Sequence, residues 1–380
     1  MKGIWARIAD YIREVDKIML LLCFFTTCFG CMAVFSATRY TGSSRQFIMQ
    51  VIAMILGVGA AVFISLFDFE RFLKRWYFIA AIGLAPVILT FFIGFGPAGT
   101  DDKAWLDLGI TTFQPSELLK ACFIVTFSMH LSKVKEKINK LSTLVPVCVH
   151  GAAPVLLIHL QGDDGTALVF AVMVICMMWV AGVHYKYFLI LLGVIIVAAP
   201  LIYFFVMNPD QQSRIQTIFD IDGDILGDGW QQYRGRVALA GGGLWGQGYL
   251  RGTLTQMGPA GVPEGYNDFI FVTVGEELGF AGAFVAVLLL FLICYRCIKI
   301  AKITNNFAGK LICIGFFGWM LAQTCVNLGM CLSLLPVIGI TLPFFSAGGT
   351  SLSCLYLGVG LVLSVYMHRN SRTVYLHELK

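Results

Sequence analysis

Apolar runs of about 18 residues or more recur along the chain, each long enough to cross the roughly 30 Å hydrocarbon core of a bilayer. They fall at roughly 17–37, 47–67, 76–95, 114–132, 142–160, 166–184, 187–207, 268–295, 309–333 and 348–367. A water-soluble fold with this many fully apolar segments would leave far too much of them exposed. With a mean hydropathy of +0.80 and 13% charged residues, the chain reads as an all-α polytopic membrane protein. About ten transmembrane helices are expected within one integral-membrane domain, 1–380. The fourth run is the weakest, because it contains Glu117 and Lys120. Met1–Lys17 has mixed charge, so the first run reads as a retained anchor rather than a signal peptide.

Cations set the orientation. With the N-terminus inside, 19 of the 27 Lys and Arg residues fall on inner segments and 7 on outer ones, with Lys120 inside a span. That bias follows the positive-inside rule and puts both termini in the cytoplasm. The net charge of +5 is therefore a topology signal. It does not mark nucleic-acid binding, since no basic stripe interleaved with aromatics stands out. All 12 cysteines lie in or at the ends of apolar runs, which argues against a disulfide framework. Two outer segments are large, at about 96–113 and about 208–267, and the second is too long for a plain connector.

Acidic residues interrupt this apolar pattern. The stretch VPEGYNDFIFVTVGEELGF, 262–280, carries Glu264, Asp268, Glu276 and Glu277. Asp268 falls at the outer boundary of the eighth span, where helix capping and chemistry are equally good readings. Glu276 and Glu277 lie deeper, and ionisable groups there face a cavity or a partner. They read as a buried polar network that fixes helix packing. In FQPSELLK, 113–120, Glu117 and Lys120 are spaced i, i+3 and can pair. Lys120 is the lone cation inside a span and needs Glu117, Glu276 or Glu277. In QGDDGTAL, Asp163 and Asp164 suit a helix cap by default. One adjacent pair of carboxylates is weak evidence for a metal, and no metal ligands are assigned.

ALAGGGLWGQGYLRGT, 238–253, is rich in glycine but lacks the Lys-Ser/Thr ending of a phosphate-binding P-loop. It reads as a tight re-entrant loop, and its backbone beside Arg236 and Arg251 can also approach a phosphate. CFGC, 28–31, and CYRC, 294–297, read as apolar filler despite metal-like spacing. LLPVIGITLPFFSAGGTSL, 334–352, breaks helix at Pro336, Pro343, Gly348 and Gly349. Such backbone at membrane depth lines a cavity or is buried in protein, so it is a candidate wall for a cleft shared with Asp268.

Together these stretches resemble the shape, elongation, division and sporulation (SEDS) family of bacterial membrane glycosyltransferases. FQPSELLK, GTALV, GGLWGQGYLRGT, PEGYNDFIF with GEELG, and LLPVIGITLPFFS occur in the family's order and approximate spacing. Leu250-Arg251-Gly252-Thr253 resembles the RodA-like branch. Departures include Tyr266-Asn267 where the family usually has His-Thr, and Gly162-Asp163-Asp164 where it has Pro-Asp-Leu. The resemblance implies polymerisation of lipid II, a disaccharide-pentapeptide on undecaprenyl diphosphate, at the outer face of the bacterial cytoplasmic membrane. It also implies a class B penicillin-binding protein as crosslinking partner. The family's catalytic aspartate falls on Asp268. The expected substrate-contacting set is Lys103, Trp105, Asp163, Arg214, Gln231, Arg236, Arg251, Glu264 and Ser346. No organic cofactor is expected, and a divalent cation, Mg or Mn, is one candidate for sharing the charge of the leaving diphosphate. The competing readings are a lipid flippase or other transporter, and a scaffold that only recruits a crosslinking enzyme.

Overall fold

The computed structural model describes residues 11–96, 102–109, 111–207, 209–219, 227 and 229–370. The long helices are α1 (Lys17–Ala37), α2 (Arg45–Ser65), α4 (Trp76–Ile93), α5 (Pro115–Val134), α6 (Leu141–His159), α7 (Asp164–Ala181) and α8 (Tyr185–Phe205). They continue with α11 (Ile270–Ile303), α12 (Phe307–Cys331) and α13 (Gly349–Met367). Shorter helices are α3 (Phe69–Lys74), α9 (Pro209–Phe219) and α10 (Trp230–Gly242). A two-residue hairpin pairs β1 (Leu106–Asp107) with β2 (Thr112–Phe113).

Each of the ten apolar runs is thus a helix. Nine are long and apolar enough to cross a membrane among the described residues. The tenth, α5, is 20 residues long but carries Glu117, Lys120 and Lys133. It tolerates Glu117 and Lys120 because it is an interior helix, buried along most of its length, while Lys133 is exposed in its last turn. The long segment 208–267 is not a bare loop, since α9 and α10 form within it.

Helix ends follow local chemistry. Pro115 opens α5, where its missing N–H costs nothing. Asp16 caps α1 by accepting from Met19 N at 3.1 Å, and its other oxygen takes Arg296 Nε at 2.7 Å. Asn306 caps α12 through Ala308 N at 3.0 Å. Packing then sorts the helices. α13 lies along α2, α12 along α7, α4 along α5, and α11 along α1 and α12. Small residues allow the closest of these approaches. A Cβ on Gly360 of α13 would sit 3.0 Å from the Ala61 backbone of α2. α5, α12 and α13 bury most of their residues, whereas α8 buries none.

The connections gather in two sets, one at each end of the bundle. At one end Asn306 bonds Glu70 at 2.7 Å, Asn305 N bonds Arg369 O at 3.2 Å, and Asn139 bonds Gly182 O at 2.9 Å. At the other, Lys103 N donates to Gln161 O at 3.0 Å and Ala347 N to Tyr266 O at 2.8 Å. The acidic and glycine-rich motifs lie at this second end.

Candidate active site

Asp268 closes an irregular turn, 262–269, that leads into α11. The helix is capped by Phe269 without a side-chain bond, so Asp268 is not the cap that its position suggested. It is 8% exposed, and its Oδ1 is buried with no hydrogen-bond partner among the described residues. Burial, then the nearby Glu264 carboxylate, push its pKa up from 3.8 to about 7, against the pull of the Asp268 and Phe269 backbone N–H groups. Glu264 is exposed, adopts φ 51°, and accepts from Asn267 Nδ2 at 2.6 Å. Positive φ in a non-glycine residue costs energy that the surroundings must hold.

The surroundings do hold this turn. Its carbonyls at Tyr266, Asn267 and Asp268 accept from Ala347 N at 2.8 Å, Ser346 Oγ at 2.6 Å and Asn327 Nδ2 at 2.6 Å. Residues 332–348, which supply two of those donors, are themselves gripped by buried carboxamides. Gln232 donates to Leu335 O at 2.7 Å, Asn327 to Ile340 O at 2.7 Å, and Gln50 to Ser346 O at 2.9 Å. Irregular backbone at this depth is therefore satisfied by protein, as a nonpolar environment demands. Gln50, Gln232 and Asn327 escaped the sequence reading. For Gln50 and Asn327 the available signal was a carboxamide within an apolar run; Gln232, in the polar stretch WQQYRGR, gave none.

Glu276 and Glu277 hold the glycine-rich loop. Glu276, fully buried, accepts from Leu254 N at 2.7 Å, Thr255 N at 2.7 Å and Thr255 Oγ1 at 2.6 Å. Glu277 accepts from Ser36 Oγ at 2.7 Å, Gln256 Nε2 at 3.0 Å, Leu250 N at 3.2 Å and Gly252 N at 3.3 Å. The helix itself breaks at Gly279, with φ 66° and ψ −166°. The loop's backbone fills the gap. Gln247 N and Gly248 N donate to Glu276 O and Glu277 O, while Phe280 N and Ala281 N donate to Gly243 O and Leu244 O. A Cβ at Gly279 would lie 2.3 Å from Gly246 N, so only glycine fits the crossing.

Lys120 takes the nearest of its three expected partners, Glu117 Oε1, at 2.7 Å, and lies 4.9 Å from the Trp319 ring centroid. Both pair members are buried. Asp163 caps α7 through Thr166 N at 2.9 Å and takes Gln114 Nε2 at 2.8 Å. Burial is the largest influence on its pKa, and the direction is upward. Asp164 pairs with His159, a contact the sequence did not suggest.

The remaining expected substrate residues differ in setting. Arg251 and Lys103 are exposed, and Trp105, Gln231 and Arg236 are half-buried. The Arg214 side chain lies outside the described residues. Ser346 is buried and engaged in the bonds to Asn267 O and Leu342 N, so it braces the turn. Arg234 is occupied by Ala260 O at 2.8 Å and by the Trp230 ring. A cavity of ≈ 30 Å³ borders Tyr40, Glu264 and Tyr266. That is far below the roughly 300–1,000 Å³ of pockets that enclose a ligand. Among the described residues no group of three or more His, Cys, Asp or Glu side chains forms a metal site, and the described cysteines are free thiols.

A bundle of membrane-length helices with a buried carboxyl group at one end, one of whose oxygens has no partner among the described residues, defines an integral membrane protein with a candidate reaction or binding site at one membrane face. The model of the FtsW/RodA/SpoVE family, described as cell cycle protein, matches residues 16–371, and the chain belongs to that family. It is 30% identical over 360 residues to the peptidoglycan glycosyltransferase MrdB of Escherichia coli (strain K12), covering 94% of each chain. It is 31% identical over 362 residues to the probable peptidoglycan glycosyltransferase FtsW of Geobacter metallireducens, covering 93% of this chain and 95% of the relative. Among solved structures it is similar to a chain from a study of how a peptidoglycan synthase complex coordinates polymerization and crosslinking. There the TM-score is 0.80 at 26% identity, covering 94% of this chain and 99% of that one. Thermus thermophilus rod shape determining protein RodA shares the fold, with a TM-score of 0.70 at 24% identity over 94% of this chain and 98% of that one.

Proposed function

We propose that this chain is a peptidoglycan glycosyltransferase that polymerises lipid II at the outer face of the bacterial cytoplasmic membrane. The observation that carries the reading is Asp268, a buried carboxyl group with an orphaned oxygen and a pKa near 7. Glycosyl transfer needs a base for the proton of the acceptor sugar hydroxyl. A base is most effective when its pKa lies near the working pH. The orphaned oxygen has no hydrogen-bond donor among the described residues to compete for that proton. As the acceptor oxygen attacks the anomeric carbon of the donor, the bond to the undecaprenyl diphosphate breaks and the diphosphate leaves with its electron pair. Arg236 and Arg251, with Arg214, are the cations we assign to that leaving charge, and electrostatic stabilisation of this kind is commonly the largest catalytic term.

No organic cofactor enters the reaction. Glu264 and Asp268 are hard oxygen donors of the kind that Mg²⁺ or Mn²⁺ takes. Polymerisation with and without chelator measures whether such an ion shares the diphosphate charge. The cation bias supports cytoplasmic termini and an outward-facing Asp268. The likeness to a chain of a peptidoglycan synthase complex supports a class B penicillin-binding protein as partner. The test is purified protein in detergent, given lipid II and read on a gel for chain length. Wild-type protein should make polymer, and Asp268→Asn should lose roughly two to four orders of magnitude of rate. A purified protein that folds, binds its partner and makes no polymer would favour the scaffold reading. One that moves lipid II across vesicles without polymerising it would favour a transporter.

A further inference from the structure

The Asp268 carboxylate is aimed by its backbone, because its Oδ1 has no partner among the described residues and the residue does not cap α11. What holds that backbone therefore decides where the carboxylate points. Ser346 Oγ and Ala347 N, which hold the carbonyls of Asn267 and Tyr266, belong to the irregular 332–348 segment. The third donor is different. Asn327 sits on α12, fully buried, and its Nδ2 reaches both Asp268 O at 2.6 Å and Ile340 O at 2.7 Å. One planar NH2 group thus sets two carbonyls at a fixed angle to each other and to a regular helix. Its Oδ1 meets the Cys331 thiol at 3.8 Å, and that thiol also reaches Asp268 O at 3.6 Å.

We infer that Asn327 is a positioning residue for the transfer reaction: its side-chain amide anchors the Asp268 peptide to α12 and to the 332–348 segment, and so aims the Asp268 carboxylate at the acceptor hydroxyl. The inference rests on Asp268 being the base. Asn327 is fully buried, so its loss should act on the chemical step rather than on substrate binding. A misplacement of about 1 Å at a reacting group costs on the order of 100-fold in rate.

The experiment uses the full chain in liposomes with lipid II, and compares wild type, Asn327→Leu, Asn327→Ser and Asp268→Asn. Each is checked for monodispersity and thermal unfolding before kinetics. Asn327→Leu should lower kcat by roughly 10- to 100-fold with KM little changed, the signature of an interaction that matters only at the transition state. Asn327→Ser keeps one donor and should fall between Leu and wild type. Should Asn327→Leu not fold, Asn327→Ser is read alone: lowered kcat at constant KM upholds the role, and wild-type kcat removes it. Wild-type kcat in folded Asn327→Leu, or a fall in kcat matched by a rise in KM, also overturns it. The Asp268→Asn arm separates the two ideas. If that variant is fully active, the base reading fails and the positioning role with it. If it is inactive while Asn327→Leu is normal, only the positioning role is lost.

Discussion

Glu276 tests whether buried carboxylates hold the glycine-rich loop in place. Its two oxygens take three donors, all between 2.6 and 2.7 Å, and the residue is fully buried. Glu276→Gln keeps the volume and removes the charge. Oε1 accepts Leu254 N while Oε2 accepts both groups of Thr255. The carboxamide can place its single oxygen toward only one of these sites. Its NH2 then faces an N–H donor at the other, leaving at least one buried donor unpaired. An unsatisfied buried donor costs about 1–3 kcal/mol, and the surviving bonds weaken because charge-assisted bonds are roughly twice as strong as neutral ones. The combined loss is about 2–4 kcal/mol, or roughly 30- to 1,000-fold in a local opening equilibrium. Hydrogen exchange by mass spectrometry on the purified protein reads this locally. Peptides spanning 250–256 should exchange faster by that factor, while the core of α12 should be unchanged. Polymerisation should fall as Arg251 loses its support. Unchanged exchange in 250–256, in protein shown to carry the substitution, would refute the clamp.

Other expectations follow from the same structure. Lys120→Met strands a buried Glu117 carboxylate and should cost about 3–5 kcal/mol, seen as earlier thermal unfolding, with Glu117→Leu in the same chain recovering most of it. Gly279→Ala should abolish folded yield, because a Cβ there meets Gly246 N at 2.3 Å and the backbone has φ 66°. Polymerisation should rise with pH through about 7 and fall roughly tenfold per unit below it, since only the ionised Asp268 is a base. The stability sign is opposite: a raised pKa means this group's contribution is full below about 4 and is lost as pH rises through about 7. Folded Asp268→Asn should therefore be less pH-sensitive in thermal scans than wild type. An impermeant thiol reagent should label Lys103→Cys from outside intact cells and should miss Lys137→Cys; the reverse pattern would invert the topology.

The bundle itself was legible in the chain, because hydropathy is a sum over neighbours in sequence and needs no knowledge of the fold. Ten runs became ten helices, and α5 was rightly the odd one, since Glu117 and Lys120 are only tolerable inside the bundle. The i, i+3 spacing likewise disclosed the Glu117–Lys120 pair, which lies within one helix. Interactions between distant segments were not legible. Nothing in VTVGEELG says that Glu276 meets Thr255, that Glu277 meets Ser36, or that the helix breaks at Gly279 to let another loop complete its hydrogen bonds. Asp268 shows the division most plainly. Its position alone left cap and base equally open, and the start of α11 at Ile270, after Phe269, removed the cap. Its raised pKa comes first from burial and then from Glu264, and the turn that carries it is held by residues more than 50 positions away in the chain, Asn327 and Ser346 among them. Desolvation depends on what surrounds a group in space, and only the folded chain decides that.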